Sequence, residues 1–156
     1  RHRAMTPSGI KEKVVAEKSA WVEQMLRGIR ALPLESYEQF TAEPRNVAAA
    51  DSYLRRALEA LMDLGRHILA KGFGRAVSEY RDVPRQLLAA GVLDEQTAQR
   101  MGDMAGYRNR LVHFYDEVTS EELYRICSQR LDEISAAVNT LLAWVRIHPE
   151  RVDRSL

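Results

Sequence analysis

The stretch YLRRALEALMDLGRHILAKGFG, residues 53–74, decides the fold. Leu54, Leu58, Leu61, Leu64 and Ile68 recur three or four residues apart with charged residues between them. That is the period of an amphipathic helix burying one face. Upstream, Pro44 suits a first helical turn, where its missing N–H is not needed, and Val47 continues the apolar stripe. Gly72 and Gly74 supply the stop.

The same period extends in both directions. From Ile10 to Leu32, Val14, Trp21, Val22, Met25, Ile29 and Leu32 form one face, and Pro33 ends it. Residues 33–44, PLESYEQFTAEP, read as a connector. Asp82 can cap a short helix over VPRQLLAA before Gly91 stops it. Asp94 can cap the next helix, which runs through Met101 and Met104. Thr119 and Glu122 in TSEE form a capping box. A last helix then carries Leu123, Ile126, Cys127, Leu131, Ile134, Val138, Leu141, Leu142 and Val145. No repeat, low-complexity tract, linker or strand pattern interrupts this. The expected fold is all-α: an antiparallel bundle of four long helices and one short one.

The bulk numbers fit one domain of 156 residues, 46% hydrophobic and 29% charged, able to build its own core. Residues 5–156 are expected to form it, with Met5 as the natural start and Arg1–Ala4 as a remnant ahead of it. Basic and acidic residues number 23 and 22, so bulk charge does not drive binding to polyanions, and any nucleic-acid contact needs a local patch. No run reaches the ~18 apolar residues of a membrane span, and RHRAM lacks the apolar core of a signal peptide. A single cysteine, Cys127, excludes an internal disulfide and fits a reducing, cytoplasmic setting; it sits on the apolar stripe of the last helix as a core residue.

Chemistry concentrates in AGYRNRLVHFYDE, residues 105–117. Positions 97, 101, 104, 108, 111 and 115 alternate steps of three and four, a packed seam holding Thr97, Met101, Met104, Arg108, Leu111 and Tyr115. Arg108 interrupts that seam. It either reaches the surface or a core carboxylate, or it serves a site. His113 lies five residues on, roughly 140° round a straight helix, so the two side chains diverge, whereas Asn109 shares the His113 face. Arg108 and His113 converge only if the helix breaks near His113 or if two copies meet across the seam. Together the residue types suit metal-free cleavage of an RNA phosphodiester. Histidine moves protons near neutrality, arginine's planar fork holds a phosphate, asparagine orients an oxygen, and tyrosine stacks on a base.

RNRLVHFY, residues 108–115, resembles the signature of the HEPN superfamily, an arginine and a polar neighbour followed by a histidine. The tyrosine two residues after the histidine resembles the HepT toxin branch. The segments 53–74, 87–95 and 104–124 are similar to that branch in the same order. The resemblance implies a metal-independent endoribonuclease toxin of a toxin–antitoxin pair. It would act as a homodimer whose interface gathers both motifs, and cleave RNA (transfer or messenger) by attack of the ribose 2′-hydroxyl. Arg108 would hold the scissile phosphate, His113 would be the general acid/base and Asn109 a supporting contact. An MntA-like nucleotidyltransferase antitoxin would add AMP to Tyr115, setting negative charge beside the cleft.

Other candidates carry less. Arg75, Arg81 and Arg85 near the glycine turn, together with Arg110 and Tyr107, are candidate RNA contacts, although a solvated basic turn and a packed ring explain them equally. His67 either lines an RNA path or packs on the helix surface. His2, His67, His113 and His148 lack metal-ligand spacing, so no metal and no cofactor is expected. Two rival readings are a non-catalytic HEPN module that binds a nucleotidyltransferase or RNA, and the substrate-binding half of a nucleotidyltransferase acting on small molecules.

Overall fold

The computed structural model describes residues 2–4 (backbone), 7–113 and 117–155. Seven α-helices lie among them: α1 (Glu12–Arg30), α2 (Tyr37–Thr41), α3 (Pro44–Phe73), α4 (Asp82–Ala89), α5 (Glu95–Val112), α6 (Ser120–Gln129) and α7 (Leu131–Arg146). Two three-residue strands, β1 (His2–Ala4) and β2 (Arg75–Val77), pair antiparallel, a feature no alternation in the sequence announces. No helix among the described residues is long and apolar enough to cross a membrane.

α3 is the axis. Pro44 occupies its first turn, and Gly74 ends it in the left-handed region at φ 66°, its N–H donating to the Ala70 carbonyl. Leu54, Leu58, Leu61, Leu64 and Ile68 are all fully buried. α1 runs antiparallel along it. Gly28 faces Tyr53, Lys18 reaches Asp63, and the Lys11 N–H donates to His67 Nε2, so positions fall on α1 as they rise on α3. A methyl group at Gly28 would stand 2.6 Å from the Tyr53 ring, so any larger residue at this crossing would have to displace that ring. Gly65 does the same for α4, where an added Cβ would lie 2.7 Å from Val83.

Several expectations shift. The α1 face is carried by Val15, Val22, Met25, Leu26 and Ile29, while Val14 is half-buried and Trp21 is exposed at the edge, beside Arg56. The 33–44 connector contains α2, whose Phe40 is fully buried against Tyr124. Arg81, not Asp82, occupies the N-cap position of α4, and Asp82 pairs with Arg85. Asp94 and Thr119 cap α5 and α6 as expected. The final helix is broken at Arg130, whose φ of −121° leaves the helical region; the Arg130 side chain is held by Glu133 and Asp103. The apolar period continues across such a bend because both halves bury the same side, so sequence periodicity does not report it. Cys127 is buried on α6, and burial pushes its thiol up to about 12.

Candidate functional site

As far as Leu111 the seam of α5 forms as spaced. Met101 and Met104 are buried with Ala98 and Ala105 beside them, and Leu111 packs against the core. Arg108 is half-buried on this face. Its Nε and Nη2 each lie 3.0 Å from Glu59 Oε2, and Nη1 donates to Asn109 Oδ1 at 3.3 Å. Its guanidinium carbon stands 4.7 Å from the centre of the Tyr80 ring. The arginine that interrupts the stripe is therefore paired with a carboxylate of α3 and still reaches an open cleft.

α5 stops at Val112, itself substantially exposed. His113 follows in extended conformation (φ −102°, ψ 102°), its N–H donating to the Asn109 carbonyl. This break overrides the divergence expected on a straight helix. His113, Arg108 and Asn109 line one open cleft of about 540 Å³ together with Arg66, Tyr80 and Arg81. Of the two ways to bring Arg108 and His113 together, the helix break operates within the single chain.

Arg110 sits at the hinge of this break. Its Nη1 and Nη2 form a two-point pair with Glu122 at 2.8 and 3.0 Å, and Nη2 also donates to the Glu117 carbonyl. Glu122 in turn accepts from the Thr119 N–H in the capping box. One carboxylate thus ties the end of α5 to the start of α6. Tyr115, between them in sequence, lies outside the described residues.

The Arg110 guanidinium and the Thr119 amide hold the Glu122 carboxyl at about 2, below its ordinary 4.5. With the folded value depressed, the stabilisation is fully present above about 4.5 and is lost as pH falls through about 2. Glu122→Ala should therefore lower Tm by about 3–6 °C at pH 7, through loss of the cap and the ion pair. By calorimetry the gap to wild type should persist down to pH 4.5 and narrow toward pH 2. A gap that widens on acidification would contradict the clamp.

The remaining predicted residues divide. Arg81 reaches the cleft, paired with Glu79, both more than half exposed. Arg75 instead donates to Gln86 and stacks near Phe73, and Arg85 pairs with Asp82; neither lines the cleft with Arg108. Tyr107 is half-buried against Leu54, Leu58 and Met104, with one side open beside Asn109. His67 accepts the Lys11 N–H, and burial together with Lys71, Lys11 and Lys18 lowers its pKa, favouring the neutral ring. Among the described residues no cluster of three or more His, Cys, Asp or Glu side chains could hold a metal ion.

Sequence reasoning missed Glu59, Arg66 and Tyr80. Glu59 and Arg66 lie on the polar side of α3, where helical charge is the ordinary case, and Tyr80 follows a turn with no period to place it. The local signals were the i, i+4 pairing of Arg55 with Glu59 and the i, i+3 pairing of Asp63 with Arg66.

The fold is thus a helical bundle in which Arg108, Asn109 and His113 open on one cleft. The family described as "Ribonuclease HepT-like" matches residues 22–141, and the chain belongs to that HepT-like family. No curated protein matches the sequence. Among solved structures, the tri-AMPylated Shewanella oneidensis HEPN toxin in complex with MNT antitoxin is similar at 19% identity. The match covers 83% of this chain and 97% of that one, with a TM-score of 0.76. A toxin–antitoxin complex with AMP-PNP is similar at 18% identity over 82% and 97%, TM-score 0.74. The Bacillus subtilis YutE, described as a cytosolic protein of unknown function, is similar at 15% identity over 92% and 95%, TM-score 0.75. At these identities the likenesses show a shared fold.

Proposed function

We propose that this chain is a metal-independent endoribonuclease toxin, acting as a homodimer and silenced by a nucleotidyltransferase antitoxin. The carrying observation is the convergence of Arg108, Asn109 and His113 on one open cleft. His113 takes the proton of a ribose 2′-hydroxyl or returns one to the leaving 5′-oxygen. The oxyanion attacks the adjacent phosphorus, the P–O5′ bond breaks, and a 2′,3′-cyclic phosphate remains. Arg108 stabilises the charge on the phosphorane, and Asn109, accepting from Arg108, steadies its fork.

One face of α5 supports the dimer. Gly102, Gly106 and Asn109 follow steps of four and three along it, and together with His113 they line a second open cleft. Among the described residues a Cβ at either glycine would meet nothing within 4 Å, so packing against those residues requires neither glycine. Each nevertheless costs about 1 kcal/mol against alanine in a helix. A second copy of α5 laid on this face would bring two Asn109–His113 sets together about a twofold axis.

The test is cleavage of a single-stranded RNA in EDTA. Full activity, with 2′,3′-cyclic ends in the product, is expected. Activity that vanishes with EDTA and returns with a divalent metal would sink metal independence. The silencing is tested separately by incubating the protein with an MntA-like nucleotidyltransferase and ATP. Intact mass should rise by whole AMP units, and Tyr115→Phe should abolish the gain. Equal modification of that variant would move the target elsewhere.

A further inference from the structure

Arg66 lies on α3, outside the motif of α5, yet it opens on the same cleft as Arg108, Asn109 and His113. Its Nη2 donates to Asp63 Oδ1 at 2.9 Å and its Nη1 to the Ser78 carbonyl at 3.3 Å. Its guanidinium carbon is 4.9 Å from the centre of the Tyr80 ring, against which Arg108 also rests. We propose that Arg66 is a second phosphate ligand. It takes the phosphate next to the one held by Arg108, so that the cleft grips a single RNA strand at two successive phosphates. This rests on the ribonuclease reading above.

Two features support it. The first is the shared brace. Tyr80 fixes both guanidinium groups against one ring, and its O–H is anchored on Asp63 Oδ1 at 2.7 Å. Burial and that hydrogen bond push the phenol up to about 12, so it stays a neutral donor at physiological pH. A fixed pair of cations suits a backbone with regularly spaced charges better than two independent side chains do.

The second feature is that both arginines can leave their carboxylates. Stripping a half-buried carboxylate of its only cation is costly. Asp63 keeps the Tyr80 hydroxyl and has Lys18 at 3.7 Å; Glu59 keeps Arg55 at 3.5 Å. Each site therefore retains a cation when its arginine turns to phosphate. Arg110 differs, because among the described residues the other partners of the Glu122 carboxylate are the neutral N–H and hydroxyl of Thr119. That contrast assigns Arg66 to RNA and Arg110 to the fold.

The test has two arms. In the first, a fluorescent hexanucleotide is bound to His113→Ala protein over a salt series. Adding Arg66→Ala should weaken binding about tenfold and reduce the slope of log K against log salt by about 0.7, the value for one lost phosphate contact on a single strand. Arg66→Lys should restore the slope. In the second, the kcat/KM loss caused by Arg66→Ala should be about tenfold larger on the hexanucleotide than on a dinucleoside monophosphate, which has no second phosphate. An unchanged slope, or equal losses on both substrates, overturns the proposal. If wild-type protein cleaves nothing while the slope still falls, the ribonuclease reading fails alone and Arg66 stands as a phosphate ligand.

Discussion

His113→Ala is expected to reduce RNA cleavage by about 10²–10⁴-fold, the usual contribution of a positioned general acid or base. Tm should change little, since His113 is exposed at the end of α5 and its backbone N–H bond to Asn109 survives the substitution. Single-turnover cleavage of a labelled RNA reads the rate, and calorimetry reads the fold. Full cleavage by the variant would remove His113 from the chemistry. A large loss of Tm with the activity would make its role structural.

Arg108→Ala is expected to cost about 10²–10³-fold in kcat, as removal of a transition-state donor does. Arg108→Lys should recover only part of this, because an ammonium lacks the planar fork. The competing effect is structural, since Glu59 loses its closest partner, but Arg55 remains at 3.5 Å to hold the carboxylate. The variant should therefore fold, and loss of growth arrest on expression should parallel loss of cleavage. Toxicity that survives Arg108→Ala would favour a non-catalytic module that acts by binding, with the Glu59 pair as the whole purpose of this arginine.

Much of the fold was legible because helices write their period into the chain. The α3 stripe, the Pro44 entry, the Gly74 exit and the caps at Asp94 and Thr119 follow from local chemistry, and all are present. The break at Arg130 was not legible, since a bend that keeps the same face buried leaves the period intact. Trp21 was misplaced for a related reason. A large ring at the edge of an apolar stripe scores as core, whereas the antiparallel crossing of α1 and α3 leaves it beside Arg56.

The site shows the same division. Arg108, Asn109, His113 and Tyr115 are marked by residue type and spacing, which the chain carries locally. Sequence alone determined the helical class, the main caps and the motif, because each depends on residues within a turn or two of one another. Tertiary structure decided that Arg108 answers to Glu59, that α5 ends so that His113 swings into the Arg108 cleft, and that Arg66 and Tyr80 join them. Those relations run between α3, α5 and the turn before α4, across separations of up to 49 residues. No local period encodes which polar residues of two packed helices will meet. Their meeting depends on where the glycine crossings and buried stripes bring the helices to rest.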